Sequence, residues 1–210
     1  KKHLMKFFIF TLLLTTPFLL NAQDYNKFGI EKSSGSSLVP LEIGSKAPEF
    51  SGKDQFGNHI ALSEMVQDGP VLVIFYRGYW CGICKRSLEE FQSEFSSLSS
   101  AGVQVVAVAP EVESNIAKTV NQNNLEFSVI SDSDNSIMKK YNVAFDVTTA
   151  YQDKVIKYFQ TTLQEINGQN DAVLPIPATY LIDSNGKIKY VHFDIDYSKR
   201  ATVKDILAQL

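Results

Sequence analysis

Cysteine is almost missing from this chain, with two residues in 210. Two thiols cannot build a disulfide scaffold or a four-thiolate zinc site, so whatever they do, they do as a pair. Histidine is nearly as scarce, at three residues, and His59 and His192 show no metal-ligand spacing. Charge of one sign is lacking too: 20 basic residues stand against 23 acidic ones, a formal charge of −3. That balance gives no electrostatic footprint for nucleic acid. With 11 Gly and 7 Pro the chain is neither collagenous nor low-complexity. What is present, 44% hydrophobic and 20% charged residues, describes a globular chain able to bury one substantial core.

The first residues read as an address. Lys1, Lys2, His3 and Lys6 precede an apolar run from Phe7 to Leu20, followed by Asn21-Ala22-Gln23. A positive region, an apolar region and a small residue at a cleavage point are the parts of a secretory signal peptide. The run includes Thr11, Thr15, Thr16 and Pro17, and its 14 residues fall short of the ~20 needed to cross a bilayer. The expectation is a signal peptide over 1–22, cleaved after Ala22, with Met5-Lys6-Phe7 reading as its start. The mature chain would be periplasmic or secreted, without a stable membrane anchor. Cleavage removes three lysines and no acids, leaving 17 basic against 23 acidic residues, a net charge of −6.

Residues 23–40 are polar, centred on Ser33-Ser34-Gly35-Ser36-Ser37, a composition expected to form a flexible leader ahead of one domain over 41–210. Val71 to Tyr76 is a continuous apolar run, the pattern of a strand buried on both faces. Leu88, Phe91, Phe95 and Leu98 follow at helical spacing, until Ala101-Gly102 stops the helix. Val103 to Val108 reads as a second buried strand, 115–123 as a helix, 127–130 as a strand, and 133–141 as a helix started by Asp132 or Ser133. Thr179 to Ile182 and Lys187 to Phe193 flank Asp183-Ser184-Asn185-Gly186, a hairpin signal. Residues 199–210 read as a closing amphipathic helix. The alternation predicts an α/β fold, a central sheet with helices on both faces. Residues 144–175 break it; their aromatics Phe145, Tyr151, Tyr158 and Phe159 predict a partly helical insertion.

Trp80-Cys81-Gly82-Ile83-Cys84 lies between the first buried strand and the helix after it. A cysteine at a helix start is exposed to unpaired N–H groups and the helix dipole, which stabilise a thiolate. Cys84, one turn on, can attack a mixed disulfide or sulfenic acid formed on Cys81. A zinc site, a static disulfide and redox chemistry remain open for the pair, while haem attachment fails because Lys85 rather than His follows Cys84. A second landmark is Leu174 to Asp183, where Pro177 directly precedes a strand. A proline there cannot donate to a ladder, and a turn with a cis bond is the expectation.

Together these stretches resemble the thioredoxin-fold superfamily, and within it the peroxiredoxin-like branch, the alkyl hydroperoxide reductase/thiol-specific antioxidant group. The matching residues are Phe75 to Cys84, Pro175 to Asp183, and the tail Asp194-Ile195-Asp196-Tyr197-Ser198-Lys199-Arg200. The resemblance implies a thioredoxin-like fold with a central mixed sheet and an insertion before the cis-Pro177 strand. It implies Cys81 as attacking thiolate, Cys84 as its resolving partner, and Arg77, Tyr79, Trp80, Ile176 and Pro177 around the substrate, with Ile176 offering backbone. It also implies hydroperoxide reduction recycled by an external dithiol such as thioredoxin, with no metal or organic cofactor. Typical members carry Pro-x-x-x-Thr-x-x-Cys, whose hydroxyl helps to position the peroxide. Here Gly78 stands three residues before Cys81, and Cys81 three before Cys84. A thiol–disulfide oxidoreductase acting on protein disulfides is therefore the alternative, and a Cu(I)-handling binding module a third reading.

Overall fold

A buried strand must satisfy its main-chain groups in a sheet and cover both faces, and the Val71–Phe75 run does both. In the computed structural model, which describes residues 24–210, every residue of this strand is buried. Along the chain, β1 (Ser51–Lys53) and β2 (His59–Ala61) form a small hairpin, followed by α1 (Leu62–Asp68) and β3 (Val71–Phe75). Then come α2 (Gly82–Ser93), α3 (Phe95–Ser100), β4 (Gln104–Ala109), α4 (Glu113–Asn123), β5 (Ser128–Ser131) and α5 (Ser136–Lys140). The last part holds β6 (Ala144–Asp146), α6 (Thr149–Phe159), α7 (Leu163–Asn167), β7 (Val173–Pro175), β8 (Thr179–Ile182), β9 (Ile188–His192) and α8 (Val203–Leu207).

The central sheet runs β5-β4-β3-β8-β9. β3 pairs parallel with β4, β4 parallel with β5, while β8 lies antiparallel to both β3 and β9. It is a mixed sheet, and β3 is its middle strand, which is why β3 carries no polar residue. Beside β3 an aromatic cluster of Phe75, Tyr141 and Tyr180, with ring centroids 5.2 to 6.2 Å apart, fills the core. Among the described residues no helix is long and apolar enough to cross a membrane.

The insertion is partly helical, and it is closed by a ladder: β6 and β7 pair antiparallel with Phe145 opposite Leu174, and α6 and α7 lie between them. Phe145 is buried, whereas Tyr158 is exposed.

Four expectations are corrected. Residues 24–40 do not form a free leader. Ile30 is fully buried and bridges Val147, Glu31 N–H donates to the Asp146 carbonyl (2.9 Å), and Ser34 Oγ donates to the Asp146 carboxylate (3.2 Å). Apolar Ile30 and Leu38, sparse in a polar stretch, are buried in the core, with Tyr25 and Phe28 packed against it. The single helix through Leu88–Leu98 is two, broken at Glu94. The closing helix starts at a Thr202/Asp205 capping box, not at 199, because the Asp196 carboxylate takes the Ser198 N–H in a turn. Finally, no cis peptide bond occurs among the described residues, so Pro177 is trans. The bend is made instead by a γ-turn, in which the Ala178 N–H donates to the Ile176 carbonyl (2.7 Å) around the fixed φ of proline. The expected signal peptide lies outside the described residues.

Candidate active site

Chain leaving the end of β3 crosses Arg77-Gly78-Tyr79-Trp80 and enters α2 at Cys81. Gly78 has φ +144°, and a Cβ there would lie 2.6 Å from Trp80 Nε1 and 2.7 Å from Glu111 Oε1. Only glycine fits that bend. Cys81 is the N-cap of α2: its carbonyl accepts the first helical bond, from Lys85 N–H (3.0 Å), and its Sγ accepts from Cys84 N–H (3.2 Å). A thiolate at this position is stabilised by a main-chain donor and by the positive end of the helix. Cys81 and Cys84 form a disulfide with Cα atoms 5.2 Å apart, and both are buried.

Each sulfur has its own guanidinium. Arg77 Nη2 donates to Cys81 Sγ at 3.2 Å and Arg200 Nη2 to Cys84 Sγ at 3.3 Å. Arg77 is only 4% exposed, so it is not a solvated charge at a strand end. Its Nη1 donates to Tyr151 Oη (2.8 Å), and its plane lies 3.7 Å from the Tyr197 ring and 5.3 Å from that of Trp80. Aromatic faces attract a cation without neutralising it. Among the described residues neither arginine has a carboxylate within ion-pair distance. A buried cation without a counter-ion is costly, and the anion its placement favours is a cysteine thiolate.

Beneath the loop lies Glu111, fully buried just past β4. Its Oε1 accepts the Tyr79 N–H (2.7 Å), and its Oε2 accepts from Thr119 Oγ1 (3.3 Å) and Tyr76 Oη (3.5 Å). Burial pushes the carboxyl up to about 7, with the Tyr79 N–H as the largest opposing influence. Burial and the Glu111 charge raise Tyr76 well above the ordinary phenol. Burial next to Arg77 lowers Arg200 to about 10.

Of the residues singled out in the sequence, Cys81, Cys84, Arg77 and Trp80 come together, and Tyr79 anchors the loop through its N–H. The indole of Trp80 stacks edge-on with Phe159 of α6 at 5.7 Å. Ile176 and Pro177 are buried in the turn beside the end of β3, where Phe75 N–H donates to the Ala178 carbonyl (2.9 Å). Ile176 donates its N–H to Val143 (2.8 Å), and its carbonyl is taken up in the γ-turn. The backbone expected to face a substrate is therefore already engaged. Glu111, Tyr151 and the roles of Tyr197 and Arg200 went unassigned in the sequence. Tyr197 and Arg200 stand in the tail that carried the resemblance; for Glu111 the only signal is an acid two residues past a strand that is apolar after Gln104. No group of three or more His, Cys, Asp or Glu that could hold a metal occurs among the described residues.

A cysteine pair opening the helix after the central strand of a mixed sheet, with a cation on each sulfur, is an arrangement that can carry thiol–disulfide chemistry on a thioredoxin-like fold. Residues 43–191 match the model of the AhpC/TSA family, and the chain belongs to that family. It is 26% identical over 149 residues to peroxiredoxin Q, chloroplastic, of Oryza sativa subsp. japonica, covering 71% of this chain and 58% of that protein. The chain thus spans less than two thirds of the rice protein. A putative peroxiredoxin of Mycobacterium tuberculosis is 24% identical over 155 residues, 74% of this chain and 87% of that one. Thiol-disulfide oxidoreductase ResA of Geobacillus kaustophilus is 25% identical over 168 residues, 80% and 75% of the two chains. In fold, the peroxiredoxin-like protein from Aquifex aeolicus superposes with a TM-score of 0.62 at 17% identity, covering 81% of this chain and 86% of that one.

Proposed function

We propose that this chain is an exported thiol peroxidase in which Cys81 attacks and Cys84 resolves. The carrying observation is the buried Arg77, which has no carboxylate partner among the described residues and donates to Cys81 Sγ at 3.2 Å. In the reduced protein Cys81 Sγ is held as a thiolate by Arg77 and the start of α2. It attacks the distal oxygen of a hydroperoxide, the O–O bond breaks, and the leaving oxygen takes the electron pair and then a proton to become an alcohol or water. Arg77 offsets the charge that develops on that oxygen. Cys84 Sγ then displaces hydroxide from the sulfenic acid, forming the disulfide and, with a proton, water. An external dithiol of the thioredoxin type returns two electrons by exchange through a mixed disulfide.

Trp80 is the sole tryptophan and lies against the site, so its fluorescence reports the reaction. Stopped-flow mixing of the reduced protein with hydrogen peroxide should give oxidation about a hundredfold faster than a free thiol of equal pKa. Cys81→Ser should be silent, and Cys84→Ser should stop at the sulfenic acid. A wild-type rate no faster than the free thiol sinks the peroxidase reading. In that outcome reduction of protein disulfides is the second reading, favoured by Gly78, which provides no hydroxyl, and by the similarity to ResA. That reading falls if Cys81→Ser retains full insulin-disulfide reduction. Export rests on Lys1, Lys2, Lys6 and the Phe7–Leu20 run, and N-terminal sequencing of the exported product should begin at Gln23.

A further inference from the structure

Cys84 would need no cation if it were only a resolving thiol, yet one has been brought to it from the far end of the chain. Arg200, 116 residues away in sequence, reaches over from the tail between β9 and α8. Its Nε donates to the Tyr197 carbonyl (2.9 Å), which fixes the plane and aims Nη2 at Cys84 Sγ. The same Tyr197 presents its ring to Arg77. One short tail segment therefore orients both guanidiniums.

The other charged or titratable groups around Cys84 do not replace this pairing. Tyr151 of α6 is committed to Arg77. On α2, Lys85 pairs with Glu89 (3.8 Å), while Arg86 and Glu90 share with Arg200 the rim of an open cavity. Glu111 is engaged by the Tyr79 N–H on the other side of the loop. In the disulfide state the buried Arg77 and the half-buried Arg200 therefore face two neutral sulfurs, and partial burial beside Arg77 lowers Arg200.

We propose that Arg200 is a positioning residue for Cys84, holding the second sulfur as a thiolate so that reduction of the disulfide releases two anions, one for each arginine. The step balances: an incoming dithiol becomes a disulfide, its two protons go to solvent, the Cys81–Cys84 bond takes two electrons, and each Sγ leaves as a thiolate. Neutralising the cation pair favours the reduced form, which makes the oxidised chain a stronger oxidant. Near neutral pH the protein takes up no protons on reduction, and its midpoint potential is flat with pH. For an ordinary dithiol, which takes up two protons, the equilibrium constant changes about a hundredfold per pH unit.

This inference rests on the redox reading of the pair, not on which substrate it serves. The test is titration of the Cys81→Ser chain, whose one remaining thiol is Cys84, by thiolate absorbance near 240 nm. Cys84 should ionise below about pH 6, more than two units under the ordinary thiol value of about 8.5, a shift of more than a hundredfold. Adding Arg200→Gln should move it up at least tenfold, and Arg200→Lys should restore most of the shift, which a purely structural role for the side chain would not predict. Should Arg200→Gln not fold, the wild-type midpoint potential between pH 6 and 8 decides the matter, because a slope like that of an ordinary dithiol overturns the proposal. Ionisation of Cys84 at or above the ordinary value, or insensitivity to Arg200→Gln, overturns it as well. An intact titration without peroxide activity would instead remove only the peroxidase reading.

Discussion

Glu111 and Asp132 hold matching places one strand apart. Each follows the carboxyl end of a buried parallel strand, Glu111 after β4 and Asp132 after β5, and the Asp132 N–H donates to Ala109 at the end of β4 (2.8 Å). Both carboxyls are raised by burial, Glu111 to about 7 and Asp132 to about 6. They differ in what they hold. Asp132 accepts the N–H groups of Ile137 (3.0 Å) and Met138 (2.8 Å), five and six residues on, and so begins α5. Glu111 accepts the N–H of Tyr79, 32 residues back, and so braces the loop that delivers Cys81. A local clamp costs stability when it is lost; a long-range clamp costs alignment of the site as well.

The comparison is sharpened first by Asp132→Ala. Two buried N–H groups lose their acceptor, and at pH 5 the expected destabilisation is about 4 kcal/mol by urea unfolding. Peroxide or disulfide turnover per folded molecule should stay unchanged; a loss there would erase the distinction. The pH dependence comes next. Each carboxyl holds its proton more tightly in the fold than in the unfolded chain, whose ordinary values are 3.8 for Asp and 4.5 for Glu. Stability is therefore full below about pH 4 and falls as pH rises through about 6 and then about 7. Each group accounts for about 3 kcal/mol of that fall. Glu111→Gln should abolish the upper part of the decline and Asp132→Asn the lower, so an unaltered profile in either variant would break the assignment.

Glu111→Ala should lower the rate of thiol oxidation about tenfold in correctly folded protein, because the Tyr79 N–H is released and Cys81 loses its fixed distance to Arg77. Equal rates for Glu111→Ala and wild type would show that the loop needs no brace. The smallest effect belongs to Thr119→Val, which removes one hydroxyl donor from Glu111. About 1 kcal/mol of stability should be lost, with a further rise in the pH at which Glu111 ionises.

Legibility in the sequence followed contact range. β3, β4 and the β8–β9 hairpin were readable because apolar runs and a Asp-Ser-Asn-Gly turn are local patterns, and Cys81 at the start of α2 followed from them. Residues 24–40 were misread because average polarity hid two apolar residues, Ile30 and Leu38, whose burial depends on an insertion more than a hundred residues later. Pro177 was misread as cis because a proline before a strand fits either isomer until the Ala178 N–H finds its acceptor. The partners of the two sulfurs were only half visible. Arg77 lies four residues from Cys81, but Arg200 meets Cys84 across 116 residues, and no periodicity reports that.

The bend at Gly78 restricts what the loop before Cys81 can carry. A threonine at position 78, three residues before Cys81, would drive its Cβ into Trp80 and Glu111 at once. A side chain at this position would need the indole, the carboxylate and the positive-φ bend to give way together. Any stabilisation of charge at the two sulfurs then falls to Arg77 and Arg200 and not to a hydroxyl at position 78.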